Sequence, residues 1–243
     1  MSRRKTSSTL YVNLERTRVK KLHIAVDLDD VVLDFMPSVM KAFELEYDVK
    51  PEYDGTTWGR NAVVFGNHPM FKESGYQSWW GWLRDRAWLW ATFPAIPGAI
   101  GGIKRLRAAG HYVECVTSKP EWAEYNVWKW LGRWRPAFNR VTIVSNGQAK
   151  IDYTDADVIV DDKLETCQSF VAMGRTAIWF NRGPKDTPSV GVDRMAWDWE
   201  GVIEHIREVS EYVDSGSGSG ARGDGTVPPG FEWETRGRGY DPS

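Results

Sequence analysis

The sequence contains few of the features that mark secreted, zinc-clustered or membrane-spanning proteins. It has only two cysteines, Cys115 and Cys167, and both lie in or near apolar runs. This excludes a disulfide framework and argues against a cysteine zinc site. No apolar run reaches the roughly 18–20 residues that span a bilayer, and the first residues lack the apolar core of a signal peptide. We therefore expect a soluble, cytoplasmic protein without membrane contacts.

The net charge is also small, at −2, so there is no electrostatic case for binding of the whole chain to nucleic acid or membranes. Lys and Arg residues before the first apolar run predict a flexible basic arm over residues 1–20. A Gly- and Ser-rich stretch predicts a disordered tail over residues 214–243. The remaining length, with 42% hydrophobic residues overall, is enough for one domain with an insertion.

Short apolar runs alternate with amphipathic helical stretches between these two ends. The runs begin at Leu22, Tyr112, Val141, Val158 and Thr176. This alternation predicts an α/β fold with a Rossmann-like parallel sheet. We expect the sheet core to comprise residues 21–35 and 94–213. Residues 36–93 are too many for a plain crossover loop and predict a small, mainly helical cap inserted after the first strand.

Polar residues stand at or just after the ends of the predicted strands. In chain order they are Asp27 and Asp29, then Thr117 and Ser118, then Lys150 in a loop, then Asp161 and Asp162. Because the carboxyl ends of parallel strands meet at one edge of a sheet, we expect these side chains to converge. An aspartate after a strand often only caps the next helix, but four such positions in succession favour a functional site.

This set of residue types suits phosphoryl transfer. A carboxylate such as Asp27 can attack phosphorus, and a second one, Asp29, can donate a proton to the leaving oxygen and then activate water. A hydroxyl and an ammonium can hold the phosphoryl oxygens. Clustered carboxylates stay ionised most readily around a divalent cation, and Mg²⁺ prefers oxygen ligands. The sequence therefore predicts a Mg²⁺-dependent site.

The same motifs resemble those of a known group of enzymes. The run Asp27-Leu28-Asp29-Asp30-Val31, followed by Thr117-Ser118, Lys150 and Asp161-Asp162, resembles the four motifs of the haloacid dehalogenase (HAD) superfamily. Within it the chain most resembles the 5′(3′)-deoxyribonucleotidases, over about residues 22–210. Three segments carry the narrower resemblance: Val32-Leu33-Asp34-Phe35, Phe93-Pro94-Ala95-Ile96-Pro97-Gly98-Ala99 and Ala196-Trp197-Asp198-Trp199.

The resemblance implies a role for each motif residue. Asp27 would be the nucleophile that becomes a phosphoaspartate, and it would also contact Mg²⁺. Asp29 would be the general acid and base, with its backbone carbonyl on the metal. Asp162, supported by Asp161, would be the other carboxylate ligand. The residues that would hold phosphate are Thr117, Ser118 and Lys150. Phe35 matches a position that lines the base pocket.

The chain departs from this pattern at positions that carry charge. The residue after the second catalytic aspartate is usually Gly, and here it is Asp30. An Arg is expected two residues before Lys150, where this chain has Gln148. No Lys is evident at the start of the helix after Thr117-Ser118, a region that holds Glu121 and Glu124. Fewer cations imply weaker holding of phosphate or a different substrate.

Aromatic residues are concentrated in the predicted cap. Of the 14 tryptophans, Trp58, Trp79, Trp80, Trp82, Trp88 and Trp90 lie in this one stretch. Such rings can stack on a nucleobase, or they can simply pack a small helical cap, and both interpretations stay open for each ring. We expect the substrate pocket to be lined by Phe35, Trp58, Phe65, Trp88 and Trp90.

Three functions remain open at this point. The leading hypothesis is a Mg²⁺-dependent phosphomonoesterase that acts on (deoxy)nucleoside monophosphates. The second keeps this chemistry for another small ester, such as a sugar phosphate or a modified nucleotide. The third is a Trp-rich module that binds single-stranded nucleic acid, which the near-neutral charge disfavours. We thus expect a small nucleotide as partner, no stable nucleic-acid binding, and possible assembly into a homodimer.

Overall fold

A computed structural model describes residues 19–49, 65, 68–183 and 189–212. Most of the predicted basic arm, the predicted tail over 214–243 and Trp58 lie outside the described residues. The strands are β1 (His23–Val26), β2 (Tyr112–Lys119), β3 (Arg140–Ser145), β4 (Val158–Asp161), β5 (Thr176–Phe180) and β6 (Arg194–Ala196). The α-helices are α1 (Phe35–Tyr47), α2 (Pro69–Glu73), α3 (Trp79–Arg84), α4 (Ala99–Ala108), α5 (Glu121–Trp134), α6 (Leu164–Ala172) and α7 (Trp199–Tyr212). Two 3₁₀ helices span Ala87–Ala91 and Lys150–Tyr153.

The strands form one sheet in the order β3-β2-β1-β4-β5-β6, and every pair is parallel. This confirms the predicted α/β, Rossmann-like architecture. The chain moves outward from β1 to β3 on one side, and from β4 to β6 on the other. The strand order therefore reverses at β1, and ligands in such sheets bind in the crevice beyond the carboxyl ends at that point.

Both faces of the sheet are buried, as expected for parallel strands covered by helices. Side chains alternate along β1, so that Ile24 and Val26 belong to one apolar cluster and Ala25 to another. The first cluster extends from the sheet into the aromatic residues around α2 and α3, including Phe65, Trp79 and Trp82. The second lies on the other face of the sheet, around Phe170 and Trp179.

The observed elements differ from the sequence-based prediction in three places. Strand β2 runs through Thr117 and Ser118 to Lys119, because β3 continues beside it as far as Ser145. Lys150 begins a 3₁₀ helix instead of lying in a loop. Strand β6 was not predicted, since three residues at a sheet edge carry little pattern.

The described residues between α1 and α4 pack through aromatic contacts. Phe43 on α1 is surrounded by the rings of Phe65, Phe71 and Trp82, at centroid distances between 4.8 and 5.7 Å. Arg86 joins this segment to α1, since its Nε donates to Glu46 at 2.5 Å and its guanidinium lies over the Trp82 ring. Among the described residues, no helix has the length and apolar character needed to cross a membrane.

Candidate active site

The loop after β1 folds back tightly on itself. Asp27 continues the pairing of β1, because its N–H donates to the carbonyl of Val160 at 2.9 Å. The N–H groups of Val32 and Leu33 both donate to the carbonyl of Leu28, at 2.9 and 2.8 Å. This turn places the acidic residues that follow β1 at the carboxyl edge of the sheet.

Asp30 has a structural role that the sequence did not reveal. Its φ of 56° lies in the left-handed region, which favours glycine and is tolerated by aspartate. Its carboxylate accepts hydrogen bonds from the N–H groups of Phe35 and Met36, at 3.0–3.2 Å, and so caps α1. Arg182, which follows β5, lies 3.6 Å from Asp30 and is also bonded to Asp34. Burial raises the pKa of Asp30 to about 7, although the hydrogen bond from Met36 acts against this.

Lys150 connects the two central carboxylates of the site. Its Nζ lies 2.8 Å from Asp27 Oδ2 and 2.7 Å from Asp161 Oδ2, and all three side chains are almost fully buried. Burial alone would raise the pKa of Asp27, but the charges of Lys150 and Lys119 outweigh it and lower the pKa to about 2. Asp27 is therefore ionised at neutral pH, as a nucleophile must be.

Asp162 completes a group of acids that could hold a cation. Asp27, Asp161 and Asp162 each offer a carboxylate oxygen, and these oxygens lie within 4.8 Å of one another. Burial, and then the charges of Asp161 and Asp27, raise the pKa of Asp162 well above its usual range. Its Oδ2 is buried without a hydrogen-bond partner. A divalent cation with oxygen ligands would neutralise this repulsion, so the residues fit such an ion. The indole N–H of Trp179 donates to the carbonyl of Asp162 at 2.8 Å and so holds the loop after β4 in place.

Strand β2 contributes a lysine that sequence reasoning missed. Lys119 is 2% exposed, and its Nζ lies 2.7 Å from Asp29 Oδ2 and donates to Thr117 Oγ1 at 2.8 Å. Burial and the charge of Asp27 raise the pKa of Asp29, whereas the charge of Lys119 acts against them. Ser118 lies between these residues on the strand and is partly exposed. The sequence did contain a sign of this role. Lys119 stands two residues after Thr117, and side chains with this spacing lie on the same face of a strand.

The structure describes four of the predicted pocket residues, Phe35, Phe65, Trp88 and Trp90, and they differ in their exposure to solvent. Phe35, Phe65 and Trp90 are at most 1% exposed, and Phe35 stacks on Trp90 with ring centroids 4.9 Å apart. Trp88 is 58% exposed. A cavity among the described residues, with a volume of about 690 Å³, lies between the segment around α3 and the sheet edge, and none of these four residues lines it. It is lined by Gly75, Tyr76, Gln77, Ser78, Trp80, Gly81, Arg84, Asp85, Pro120, Trp122 and Asn146.

We call this cavity the Trp80–Trp122 cleft. The two indole rings lie 6.1 Å apart, edge to face, and both rest against the buried Trp90. Pro120 follows Lys119 directly, and Asn146 follows the last residue of β3. The cleft therefore borders the carboxyl edge of the sheet at the ends of β2 and β3, and its volume falls in the range of small-molecule sites.

A family model described as 5′ nucleotidase, deoxy (pyrimidine), cytosolic type C protein (NT5C) matches residues 20–209. The chain belongs to this family. The match covers β1 through most of α7 and so includes every acidic and basic residue of the site described above. It confirms the resemblance to the HAD phosphatases and, within them, to the deoxyribonucleotidases. No curated protein matches the chain.

Solved structures support the HAD fold. YfnB from Bacillus subtilis, assigned as a HAD-hydrolase and solved with bound magnesium, superposes with a TM-score of 0.55 at 16% identity, covering 77% of this chain and 99% of its own. A predicted phosphatase from Clostridium acetobutylicum gives 0.53 at 14% identity, with 78% and 100% covered. A predicted phosphoglycolate phosphatase from Haemophilus somnus gives 0.53 at 14% identity, with 76% and 97% covered. At these identities the likeness of this NT5C-family chain to them concerns the fold.

Proposed function

We propose that the protein is a Mg²⁺-dependent phosphomonoesterase that removes phosphate from (deoxy)nucleoside monophosphates in the cytosol. The observation that carries the proposal is the pairing of an ionised Asp27 with the buried Lys150, beside Asp161 and Asp162. Membership of the NT5C family supports the nucleotide substrate and the cytosolic location. We retain residues 21–35 and 94–213 as the core, and 36–93 as the cap.

The reaction would proceed in two displacements at phosphorus. In the first, a carboxylate oxygen of Asp27 attacks phosphorus, the bond to the leaving oxygen breaks, and Asp29 gives that oxygen a proton. In the second, Asp29 takes a proton from water, whose oxygen attacks the phosphoaspartate. The bond from phosphorus to Asp27 then breaks, which releases phosphate and restores the Asp27 carboxylate and the protonated Asp29.

The remaining residues would hold charge and substrate. Thr117, Ser118 and Lys150 would bind the phosphoryl oxygens, and preorganised donors of this kind stabilise the transition state. Mg²⁺, held by Asp27, Asp161, Asp162 and the Asp29 carbonyl, would neutralise developing charge on the phosphoryl group. The Trp80–Trp122 cleft has the volume and the aromatic walls to receive the nucleoside.

The decisive experiment measures phosphate release from a panel of esters with Mg²⁺. We expect release from dUMP, dTMP and related nucleotides, and none from Asp27→Asn. Asp155→Asn is the matched control, since the Asp155 side chain is fully exposed. Equal inactivity of wild type and Asp27→Asn across the whole panel would refute a hydrolase.

A second candidate keeps the chemistry and changes the substrate. Gln148 stands where an additional cation was expected, and the cleft walls include the polar Gln77 and Asn146. These groups could also receive a sugar phosphate or a modified nucleotide. A strong preference for non-nucleotide esters in the same panel would favour this candidate.

A further inference from the structure

Lys119 stands out among the buried polar groups of the described residues. An ammonium that is 2% exposed loses nearly all of its hydration, a cost that is offset only by close partners. Lys119 has two such partners, the carboxylate of Asp29 and the hydroxyl of Thr117, at 2.7 and 2.8 Å. One of these is the proposed proton donor and the other a proposed phosphate ligand, so the lysine joins two functional groups of one site.

The position of Lys119 also accounts for the missing cation in the sequence motifs. Gln148 leaves the turn before Lys150 without a second positive charge, and Glu121 and Glu124 begin α5 with negative charge. Lys119, at the end of β2, places the charge next to Asp29 instead. Lys150 is bound to Asp27 and Asp161, so the two lysines serve different carboxylates.

We propose that Lys119 is a positioning residue that links the Asp29 carboxylate to the Thr117 hydroxyl and stabilises the ionised form of Asp29 after proton donation. The proposal rests on the proposed function, because it assigns a role in that reaction. In the first displacement, the proton moves from Asp29 to the leaving oxygen as the bond from phosphorus to that oxygen breaks. Asp29 then becomes negative within 2.7 Å of an ammonium that keeps all its protons. The ion pair therefore favours proton transfer to the leaving group.

This role predicts a dependence on the leaving group. The sugar oxygen of a nucleotide leaves poorly without a proton, whereas p-nitrophenolate leaves readily as an anion. A residue that acts through the proton donor should matter much more for the first ester than for the second. A residue that holds phosphate, or one that only supports the fold, should affect both esters alike.

The experiment compares kcat/KM for dUMP and for p-nitrophenyl phosphate in wild type, Lys119→Met and Lys119→Arg. We expect Lys119→Met to lower the dUMP value by about 10- to 100-fold, less than the roughly 100- to 10,000-fold that general acid–base catalysis itself contributes. The ratio of the two values should change by about tenfold. Lys119→Arg should recover part of the loss. Lys20→Met is the matched control, since Lys20 forms an exposed ion pair with Asp157 before β1 and β4.

A double-mutant cycle with Asp29→Asn tests whether the effect passes through Asp29. The double variant should be about as slow on dUMP as Asp29→Asn alone. Equal losses for both esters, or fully additive losses in the cycle, would overturn the proposal while leaving the phosphatase function intact. If wild type hydrolyses no ester, the proposed function fails instead. In that case the Tm values of wild type, Lys119→Met, Asp29→Asn and the double variant decide whether Lys119 and Asp29 are coupled. Additive Tm shifts would overturn the inference.

Discussion

Asp30 and Asp48 both adopt left-handed backbone conformations, with φ of 56° and 53°, at opposite ends of α1. Only Asp30 uses its carboxylate as a cap, accepting hydrogen bonds from Phe35 and Met36. Two aspartates that flank the same helix thus share a backbone conformation and differ in what the side chain does. Replacing each aspartate with glycine therefore separates what the cap contributes to the free energy of unfolding from what the backbone conformation contributes.

Asp30→Gly should destabilise the protein, although glycine suits the backbone at this position. The change removes the acceptor for two buried N–H groups, which costs about 1–3 kcal/mol of unfolding free energy. Asp48→Gly should be neutral or stabilising by up to about 1 kcal/mol, since it only relieves the left-handed conformation. Urea unfolding of both variants checks this. Equal stabilities would mean that the Asp30 cap contributes nothing.

Trp122 and Trp88 provide a similar comparison at the proposed substrate site. Trp122→Leu should raise KM for dUMP by about 10- to 100-fold, because a stacked base contributes about 1–3 kcal/mol. Trp88→Leu should leave KM unchanged, since Trp88 is exposed and does not line the cleft. Steady-state kinetics on folded variants, verified by circular dichroism, tests this. A larger increase in KM from Trp88→Leu than from Trp122→Leu would instead support the substrate pocket that the sequence predicted.

At the scale of elements, α4 and α7 touch through a glycine. A Cβ built on Gly102 would lie 2.4 Å from Cε3 of Trp199, whereas one on Gly101 would meet nothing within 4 Å. Trp199 is held in place, because its indole N–H donates to the carbonyl of Val31 at 2.8 Å. The two adjacent glycines of α4 therefore differ only in what faces them.

Gly102→Ala should lower the free energy of unfolding by about 1–3 kcal/mol, the usual cost of overpacking a core. Gly101→Ala should raise it by up to about 1 kcal/mol, because alanine is the better helix former at a position with free space. Thermal unfolding measures both. If the two variants shifted Tm in the same direction, the contact with Trp199 would not control the packing of these helices.

The elements also show what a sequence can predict. The start of strand β5 at Thr176 was predicted, because a local apolar run defines it. The end of β2 was not, since the length of a parallel strand depends on a neighbour distant in the chain. Lys119 was overlooked for that reason. Phe35 was assigned to the pocket from the family resemblance, and the other rings from composition. Composition does not distinguish a ring that lines a cavity from one, such as Trp90, that packs behind the Trp80–Trp122 cleft.

At the scale of the whole molecule, the acidic cluster should couple metal binding to stability. A ligand that binds only the folded state at about 100 times its Kd adds roughly 2.7 kcal/mol. For a domain of this size that corresponds to a rise in Tm of about 5–10 °C. Wild type with Mg²⁺ should show this rise relative to wild type with EDTA.

Asp162→Asn should lose most of that rise and be at least as stable as wild type in EDTA. The substitution removes a buried carboxylate whose ionised form is repelled by Asp161 and Asp27. Differential scanning fluorimetry at several Mg²⁺ concentrations measures both effects. An undiminished Mg²⁺ shift in Asp162→Asn would place the metal elsewhere.

The hydrogen bond from Trp199 to Val31 spans 168 residues of sequence. It has a consequence for the growing chain on the ribosome. The loop that carries the proposed catalytic aspartates is synthesised early, but its partner on α7 emerges only near the end of the described chain. Domains fold as units during synthesis at about 5–20 residues per second. Nascent chains stalled before residue 199 should therefore hold an incomplete loop, and catalysis should begin only once the final helix has docked.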